Sequence, residues 1–431
     1  MGDHSVFLRT ERCTGCTACI KVCPADAVRV RNGKAKLLTD RCIDCGKCIQ
    51  ACRHKAARAV SDPLERMGDF RYTVALPEPA LFGQFHHLDD PDILLGGLLG
   101  MGFDGVYEVA VAAERISRLA RQGKGADRPA PRINSACPAV LRLIRTRFPK
   151  LLPHVEPVIL PMELAAILAR REAVEKTGLK PEEIGVFAIV PCSAKVTVAH
   201  QPMTRETPVL DGAFAIRDIY LKLLAPMEQA AKMPPRLSRA GAAGLSWSCC
   251  GGESAARGEN RYVAADGIEN VIRVLEEIED DRMPDAEFVE LAACTQGCVG
   301  GCLNVENPYA AKMRLARMAD RLPARGEGLP PVSDLSRLVE SQLSLEAASA
   351  FLLDKDRGAA MEKLMKMEAI LEQLPGLDCA SCGAPGCQAL AEDIVLGLAS
   401  PEDCIFRLRA RVRHLEDRTD PAMCQTVPSE R

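Results

Sequence analysis

The sequence of 431 residues is long enough for a main domain accompanied by smaller modules. Its 55 Lys and Arg against 58 Asp and Glu give a net charge of −3, so neither nucleic acid nor an anionic membrane surface is expected as a partner. Aromatic residues are 4% of the chain, which argues against base-stacking sites.

Twenty cysteines dominate the composition. The N-terminal segment lacks the apolar core of a signal peptide, and the longest apolar stretch, 93–103, is too short to span a bilayer. We therefore expect a cytoplasmic protein with reduced thiols and no membrane span. Thiols in such number then indicate bound metal rather than disulfides.

Residues 1–62 are predicted to form an α+β ferredoxin domain that binds two 4Fe–4S clusters. Each of two cysteine runs has the spacing of bacterial two-cluster ferredoxins, in which the fourth cysteine of a run ligates the other cluster. The first cluster is expected on Cys13, Cys16, Cys19 and Cys52, and the second on Cys42, Cys45, Cys48 and Cys23. Structural zinc is the alternative, but zinc does not need two interlocked runs of four cysteines.

Residues 70–325 read as alternating strands and helices. Two short apolar runs, 185–190 and 288–293, are strand candidates. Helical periodicity covers three longer segments, 164–176, 268–278 and 309–322. This alternation predicts an α/β domain with a largely parallel sheet.

Three segments of this central domain carry cysteines beside predicted strands or helices. Cys137 precedes a predicted helix over 139–147, Cys192 follows the first strand candidate, and Cys294 and Cys298 follow the second. Because the carboxyl ends of parallel strands converge on one crevice, these thiols can meet around one cluster. Cys294 and Cys298, four residues apart, could lie on one side of a helical turn. A buried structural thiol would explain any one segment taken alone.

Together the three segments resemble the active-site domain of FeFe-hydrogenases over most of residues 75–320. The resemblance implies an H-cluster, in which a 4Fe–4S cubane is joined through a cysteine to a diiron centre with CO and cyanide ligands. The cubane ligands it implies are Cys137, Cys192, Cys294 and Cys298. It also implies that Cys298 bridges to the diiron centre and that Lys195 donates a charge-assisted hydrogen bond to a cyanide.

Ala136 departs from the pattern of the catalytic members. Those members have a cysteine at this position that relays protons to the diiron bridge, and alanine cannot titrate, so we predict slow turnover. Val190 also replaces the usual Met beside the second ligand. With these features the sequence resembles the sensory and less characterised branches of the family.

Three further cysteines, Cys249, Cys250 and Cys302, are additions to the family pattern. The first two stand where the family has a Gly-Gly turn, and the third follows Gly300 and Gly301. Three interpretations stay open, namely small buried residues, substitute proton carriers, or ligands to another group.

After a Pro/Gly-rich linker at 321–331, residues 332–374 are predicted to form a helical connector. Two amphipathic helices are expected there, over 335–353 and 359–374. The apolar face of the second carries Leu364, Met367, Ile370, Leu371 and Leu374.

Residues 375–408 are predicted to form a small helical 4Fe–4S module. Four thiolates with Cys-x2-Cys-x4-Cys-x16-Cys spacing come from Cys379, Cys382, Cys387 and Cys404. Zinc is the alternative, but the segment is similar to 4Fe–4S modules of membrane electron-transport complexes and sensory hydrogenases, which favours iron.

The basic tail, 409–431, continues a series of arginines that starts before it, Arg407, Arg409, Arg411 and Arg413. A solvated helix face explains them, and a docking patch for an acidic redox partner is the alternative. The final ten or so residues, which include Cys424, are expected to be disordered.

The leading functional hypothesis is a hydrogenase-like oxidoreductase that interconverts H2 with protons and electrons and exchanges electrons with a redox partner such as ferredoxin. One alternative is an H2 or redox sensor, and because no signalling domain follows Cys404, its output would go to a separate signalling partner. Another is a non-catalytic protein of the cluster-assembly type that keeps the cubane alone. Lys195 argues against the last, since a cubane alone has no cyanide to meet.

Overall fold

The computed structural model describes residues 4–122, 128–324, 331–348 and 351–416. It divides into two compact units. Unit 1 consists of Met1–Phe7, Cys42–Gln50 and Arg58–Ala348, and unit 2 of Leu8–Arg41, Ala51–Ala57 and Ser349–Arg431. The second cysteine loop of the N-terminal region is therefore part of the unit that contains the central domain. The first cysteine loop is part of the unit that contains the C-terminal module.

The strands are β1 Val6–Leu8, β2 Val28–Arg31, β3 Lys34–Leu37, β4 Ala57–Ala59, β5 Tyr72–Pro77, β6 Gly105–Val106, β7 Arg132–Ile133, β8 Ile184–Val190, β9 Gly212–Ala215, β10 Tyr262–Asp266 and β11 Phe288–Ala292. The α-helices are α1 Ala18–Lys21, α2 Lys47–Ala51, α3 Pro79–Phe82, α4 Pro91–Gly100, α5 Val109–Arg121, α6 Pro138–Arg147, α7 Pro161–Thr177, α8 Ser193–His200, α9 Ile216–Ala230, α10 Ala242–Ser246, α11 Gly252–Arg257, α12 Ile268–Glu279, α13 Pro308–Ala319, α14 Leu335–Val339, α15 Arg357–Glu372, α16 Cys387–Val395 and α17 Ile405–Glu416. No described helix is long and apolar enough to cross a membrane.

Two parallel sheets form the centre of unit 1. The larger has the strand order β6-β5-β8-β9, and the smaller has the order β10-β11-β7. Every residue of β8 is buried, as expected of a strand that is covered on both faces. The predicted α/β fold with a parallel sheet is confirmed.

The core of unit 1 is an apolar cluster beside the larger sheet. Phe187 of β8 and Phe214 of β9 stack with their ring centroids 5.0 Å apart. Val299 belongs to the same cluster, and Cys249 and Cys298 pack against its edge. The core therefore supports the loop that carries Cys298.

Unit 2 is built around the antiparallel hairpin of β2 and β3, with the helices α1, α15, α16 and α17. Leu374 and Leu390 are buried together in a small core, and Met367, Ile370 and Leu371 of the predicted apolar face pack against it. Leu364 of the same predicted face is not part of this core and is exposed.

The helix predicted over 335–353 is wrong beyond its first turn, because α14 ends at Val339. The backbone then runs extended, and its hydrogen bonds go to other segments of the chain. Ser341 N donates to Pro157 O at 2.8 Å, and Val339 O accepts from Ile159 N at 2.9 Å. Part of the predicted linker (325–330) and the tail beyond 416, with Cys424, lie outside the described residues. The predicted domain boundaries stay predictions.

Candidate metal centre

A cavity with about 530 Å³ of empty space lies in unit 1 where several strands end. Six of the residues that line it are the predicted site residues Ala136, Cys137, Cys192, Lys195, Cys294 and Cys298. Cys137 and Cys192 are the N-cap residues of α6 and α8, and Cys294 follows β11. A thiolate at a helix N-terminus is stabilised by the helix dipole. We call this space the thiol cavity.

The thiols of the cavity lie close together and are half-buried. Burial raises the pKa of Cys294 well above that of a free thiol, and Cys192 and Cys137 raise it further because their charges would repel. Burial likewise raises the pKa of Cys298 to about 11, although Lys195 opposes the shift. Four convergent sulfurs are a donor set for a metal group that replaces their protons. They fit a 4Fe–4S cubane.

Cys294 and Cys298 do not share an α-helical turn, so that prediction is wrong. Gln296 and Gly297 between them have φ values of 63° and 87°, which an α-helix cannot contain. A 3₁₀ turn then begins at Cys298. The loop still directs both residues to the thiol cavity.

Lys195 forms a buried ion pair with Glu78 in the wall of the cavity. Its Nζ lies 2.7 Å from Glu78 Oε2, and both side chains are less than a tenth exposed. Burial alone would lower the pKa of Lys195, but the attraction of Glu78, Cys298 and Cys192 outweighs burial and raises it. The ammonium is therefore charged. Glu78 Oε1 is buried without a hydrogen-bond partner among the described residues.

Two buried carboxyl groups, Glu253 and Glu290, and two thiols, Cys249 and Cys250, also line the thiol cavity. Burial raises the pKa of Glu253 to about 8, even though the neighbouring Arg257 acts in the opposite direction. Burial also raises the pKa of Cys250 to about 12, and Glu290 adds to that shift. The cavity that lacks a cysteine at position 136 thus holds other groups that can carry a proton.

Glu253 is also connected to a second, larger cavity. Arg257 Nη1 lies 3.3 Å from Glu253 Oε1 and 2.7 Å from Glu156 Oε2. Glu156 lines a cavity with about 930 Å³ of empty space, as does Ser135, the neighbour of Ala136. Glu253, Arg257 and Glu156 therefore form a short polar path between the two cavities.

Cys302 is not among the residues that line the thiol cavity. Its Sγ lies 3.5 Å from Ser193 Oγ, at the start of α8. A Cβ on Gly46, between Cys45 and Cys48, would lie only 2.3 Å from that sulfur. The second cysteine loop of the N-terminal region therefore packs directly on the helix that follows Cys192.

Four thiols of unit 2 line one cavity, and they are the set predicted for the first ferredoxin cluster, Cys13, Cys16, Cys19 and Cys52. Burial raises the pKa of Cys19 to about 11, and Cys13, Cys16 and Cys52 add to the shift. Backbone N–H groups reach the sulfurs, since Ala35 N donates to Cys13 Sγ and Ala56 N to Cys52 Sγ. This arrangement fits a 4Fe–4S cluster.

The two cysteine loops repeat one backbone conformation. Gly15 and Thr17 in the first loop have φ values of 69° and 62°. Asp44 and Gly46, at the same offsets in the second loop, have φ values of 54° and 74°. The set Cys42, Cys45, Cys48 and Cys23 stays a prediction, since Cys23 belongs to unit 2 and the other three to unit 1.

In the C-terminal module, Cys382, Cys387 and Cys404 pack around one small core. Cys379 is exposed at the start of the loop. Asp378 Oδ1 accepts a hydrogen bond of 2.6 Å from Cys387 N, which closes the loop. Three partly or fully buried sulfurs and one exposed sulfur fit a small cluster near the surface.

The family model for the iron-only hydrogenase large subunit, C-terminal domain, matches residues 71–234 and 246–302, just over half of the chain. The chain belongs to the iron-only hydrogenase family. A 4Fe–4S dicluster model matches residues 5–53, and an Fe–S cluster model matches residues 374–406. This hydrogenase-family chain is an iron–sulfur protein.

Iron hydrogenase 1 of Clostridium pasteurianum is 21% identical over an alignment of 277 residues, and the match covers 51% of this chain and 46% of that protein. The chain thus spans about half the length of this curated relative. A variant FeFe-hydrogenase from Chlamydomonas reinhardtii is similar in structure, with a TM-score of 0.46, 15% identity, and coverage of 64% of this chain and 94% of that one. The HydA(deltaEFG) structure gives a TM-score of 0.46, 16% identity, and coverage of 67% and 97%.

Three carboxyl groups at the cavity of this iron-only hydrogenase family member were not predicted from the sequence, namely those of Glu78, Glu253 and Glu290. Glu78 directly follows the apolar strand β5, as Pro191 and Cys192 follow β8, and that parallel could have found it. Glu290 interrupts the apolar strand β11, which is a signal for a partnered or functional carboxyl group. Glu253 is recognised only once α11 is placed against the cavity.

Proposed function

We propose that the chain is an FeFe-hydrogenase-type oxidoreductase that interconverts H2 with protons and electrons. The observation that carries the proposal is the charged Lys195 in the wall of a cavity lined by four convergent thiols. Glu78 meets this buried ammonium from one side, and a cyanide ligand would give it a second anionic partner in the cavity. The Clostridium relative, named an iron hydrogenase, supports the same activity.

In this proposal Cys137, Cys192, Cys294 and Cys298 would hold a cubane, and Cys298 would also be a ligand of a diiron centre with CO and cyanide ligands. When bound, that centre would supply the redox chemistry that converts H2. Lys195 would donate a charge-assisted hydrogen bond toward a cyanide ligand. Glu78 keeps the ammonium charged and fixes its position, since the two atoms lie 2.7 Å apart.

Proton delivery is proposed to be slow, because Ala136 offers no atom that can hold a proton next to the diiron centre. The remaining groups that can hold one in the cavity are the thiols Cys249 and Cys250 and the carboxyl groups of Glu253 and Glu290. Burial raises the pKa of each of these groups, and the pKa of about 8 for Glu253 makes its protonated form accessible at neutral pH.

Electrons are proposed to travel through 4Fe–4S clusters, two in the N-terminal domain and one in the C-terminal module, besides the cubane of the H-cluster. The N-terminal domain is matched by a dicluster model and the C-terminal module by an Fe–S model. The external partner would be a redox protein such as a ferredoxin.

A direct assay tests the proposal. The chain is loaded with clusters and a complete H-cluster, and H2 production from a reduced viologen and H2 oxidation by an oxidised dye are measured. Slow turnover in at least one direction is expected, and it should be lost in Lys195→Met. A fully loaded protein without turnover in either direction would overturn the proposal.

Ala136 favours a second candidate, an H2 or redox sensor with the same cofactor. A sensor has to respond to H2 but does not need a high rate of H2 turnover. The absence of a relay cysteine at position 136 would therefore not impair sensing. A protein partner whose binding changes when H2 is added would favour the sensor over the enzyme.

A further inference from the structure

We propose that the C-terminal cluster site and the first ferredoxin site form one two-cluster electron relay, with the exposed Cys379 loop as its outer end. Both sites lie in unit 2. The relay rests on the proposed function only in that iron–sulfur clusters occupy both sites, and it stands or falls independently of H2 chemistry.

A buried set of ion pairs joins the C-terminal module to the ferredoxin hairpin. Arg29 Nε donates to Asp393 Oδ2 at 2.8 Å, and Arg41 Nη1 donates to Glu392 Oε2 at 2.9 Å. The side chains of Arg29 and Asp393 are 5% and 4% exposed. The two acids lie on α16, the helix that begins at the predicted ligand Cys387. We call these four residues the clamp.

Buried ion pairs require a fixed geometry. Removing one partner leaves the other charge buried and unpaired, which strongly destabilises the contact. The clamp therefore holds α16 at one position on the hairpin. A flexibly tethered signalling module has no need for such a constraint, whereas an electron relay does.

The cysteine loop of the module is itself bound to the hairpin through the backbone. Val30 N donates to Gly383 O at 2.7 Å, and Arg31 Nη1 donates to Cys382 O at 2.9 Å. Gly383 has a φ of +79°, and a Cβ at this position would lie 1.9 Å from Val30 O. A glycine is therefore needed beside the ligand Cys382 for the two backbones to approach this closely.

One apolar cluster connects the two cysteine loops. Ala380, between Cys379 and Cys382, is 3% exposed and packs with Ile20 and Val28. Cys13 and Cys19 of the first ferredoxin site pack against the same cluster. Because electron tunnelling decays exponentially with distance, the contact of both cysteine loops with one apolar cluster favours direct one-electron transfer between their sites.

The outer end of the relay lies at the surface. Cys379 is exposed, and Leu377 beside it is 58% exposed, whereas Cys404 is buried. The occupant proposed for this end is a one-electron carrier protein of the ferredoxin type. With a cluster on Cys379, Cys382, Cys387 and Cys404, the C-terminal module would take up one electron from the carrier, which would be oxidised, and would pass it on to the first ferredoxin site. No bond or proton would change, and the flow would reverse when H2 is oxidised.

Electron paramagnetic resonance of the reduced full chain tests the relay. Neighbouring clusters in the 1+ state are paramagnetic and broaden or split each other's signals. The two N-terminal clusters are expected to couple with each other, so the relay is read from coupling beyond theirs. The wild-type chain should show this additional coupling, and a Cys382→Ser/Cys387→Ser variant, which lacks the C-terminal cluster, should lose it while keeping the coupling of the N-terminal clusters. A wild-type spectrum with full iron content that equals the variant's spectrum plus that of an isolated C-terminal cluster would overturn the proposal.

The clamp is tested with Glu392→Gln/Asp393→Asn, and Glu402→Gln serves as the matched control. Glu402 is paired with Arg411 on the exposed side of the same module. The clamp variant should keep its iron but lose the additional coupling that involves the C-terminal cluster. Its amide hydrogens in α16 should also exchange faster. The control should keep the coupling and the slow exchange of the wild type. Equal coupling in all three proteins would contradict the role of the clamp. Absence of H2 turnover would leave these spectra unchanged, so the two proposals fail separately.

Discussion

Single residues decide what the thiol cavity can do, and Lys195 is the first of them. A buried ammonium is tolerated only when its charge is met, and Glu78 meets it at 2.7 Å. The motif around Cys192 indicated a charged lysine near a cubane ligand. It could not indicate the partner, because Glu78 is more than a hundred residues away in the sequence.

Glu78→Gln should lower the free energy of unfolding by about 3–5 kcal/mol, because the buried Lys195 then loses its partner. Urea unfolding of the two proteins measures the difference. Glu183→Gln is the matched control, since Glu183 pairs with Arg71 at the surface and should cause little change. Equal losses of unfolding free energy in the two variants would mean that the buried pair contributes no more to stability than the surface pair.

Ala136→Cys should speed H2 production if the missing thiol limits proton delivery. General acid–base groups contribute about 10²–10⁴-fold, so a gain of at least about tenfold is expected. The assay compares fully loaded wild type, Ala136→Cys and Ala136→Ser, whose hydroxyl does not titrate near neutral pH. An Ala136→Cys variant no faster than wild type would contradict the explanation.

Glu253 should make stability depend on pH. Burial raises its pKa to about 8 in the fold, against 4.5 for the free group, so the native state holds the proton more tightly than the unfolded chain. The groups that face it are Arg257, Glu290 and Glu156, besides the cavity thiols. The stability it contributes is complete below about pH 4.5 and is lost as pH rises to about 8.

Glu253→Gln should therefore flatten the decline in unfolding free energy between about pH 5 and pH 8. Urea unfolding at several pH values compares this variant with wild type. Parallel curves for the two proteins would mean that Glu253 is already ionised in the fold.

At the scale of elements, strands and helices with strong patterns were predictable, and loops were not. The strands β8 and β11 match the apolar runs within one residue, because buried parallel strands read as continuous apolar segments. The loop from Cys294 to Cys298 and the segment after Val339 depend on left-handed residues and on hydrogen bonds to distant segments. Such interactions leave no periodic signal in the sequence.

The packing of the second cysteine loop on α8 gives a prediction at this scale. Gly46→Ala should destabilise the chain by more than the ~1–2 kcal/mol of a left-handed alanine, since its Cβ would also clash with Cys302. Gly33→Ala is the control, because Gly33 has a φ of +70° with nothing within 4 Å of an added Cβ. Urea unfolding measures both variants, and equal losses would contradict the close packing.

At the scale of the molecule, the division into units follows the chemistry rather than the order of the chain. The loop of Cys42, Cys45 and Cys48 is part of the unit that contains the thiol cavity, and the first ferredoxin site is part of the unit that contains the C-terminal module. The cysteine spacing identified the cluster sites from the sequence. Their grouping required the clamp and the packing of Gly46, which join residues far apart in the chain.

We propose that the thiol cavity holds a complete H-cluster, and infrared spectroscopy after co-expression with the proteins that build the diiron centre can detect it, because CO and cyanide ligands absorb where protein does not. We expect CO and cyanide bands that change when H2 is added, with the cyanide bands shifted in Lys195→Met. A protein with full cubane iron and no CO or cyanide bands would contradict the proposal and indicate a chain that keeps the cubane alone.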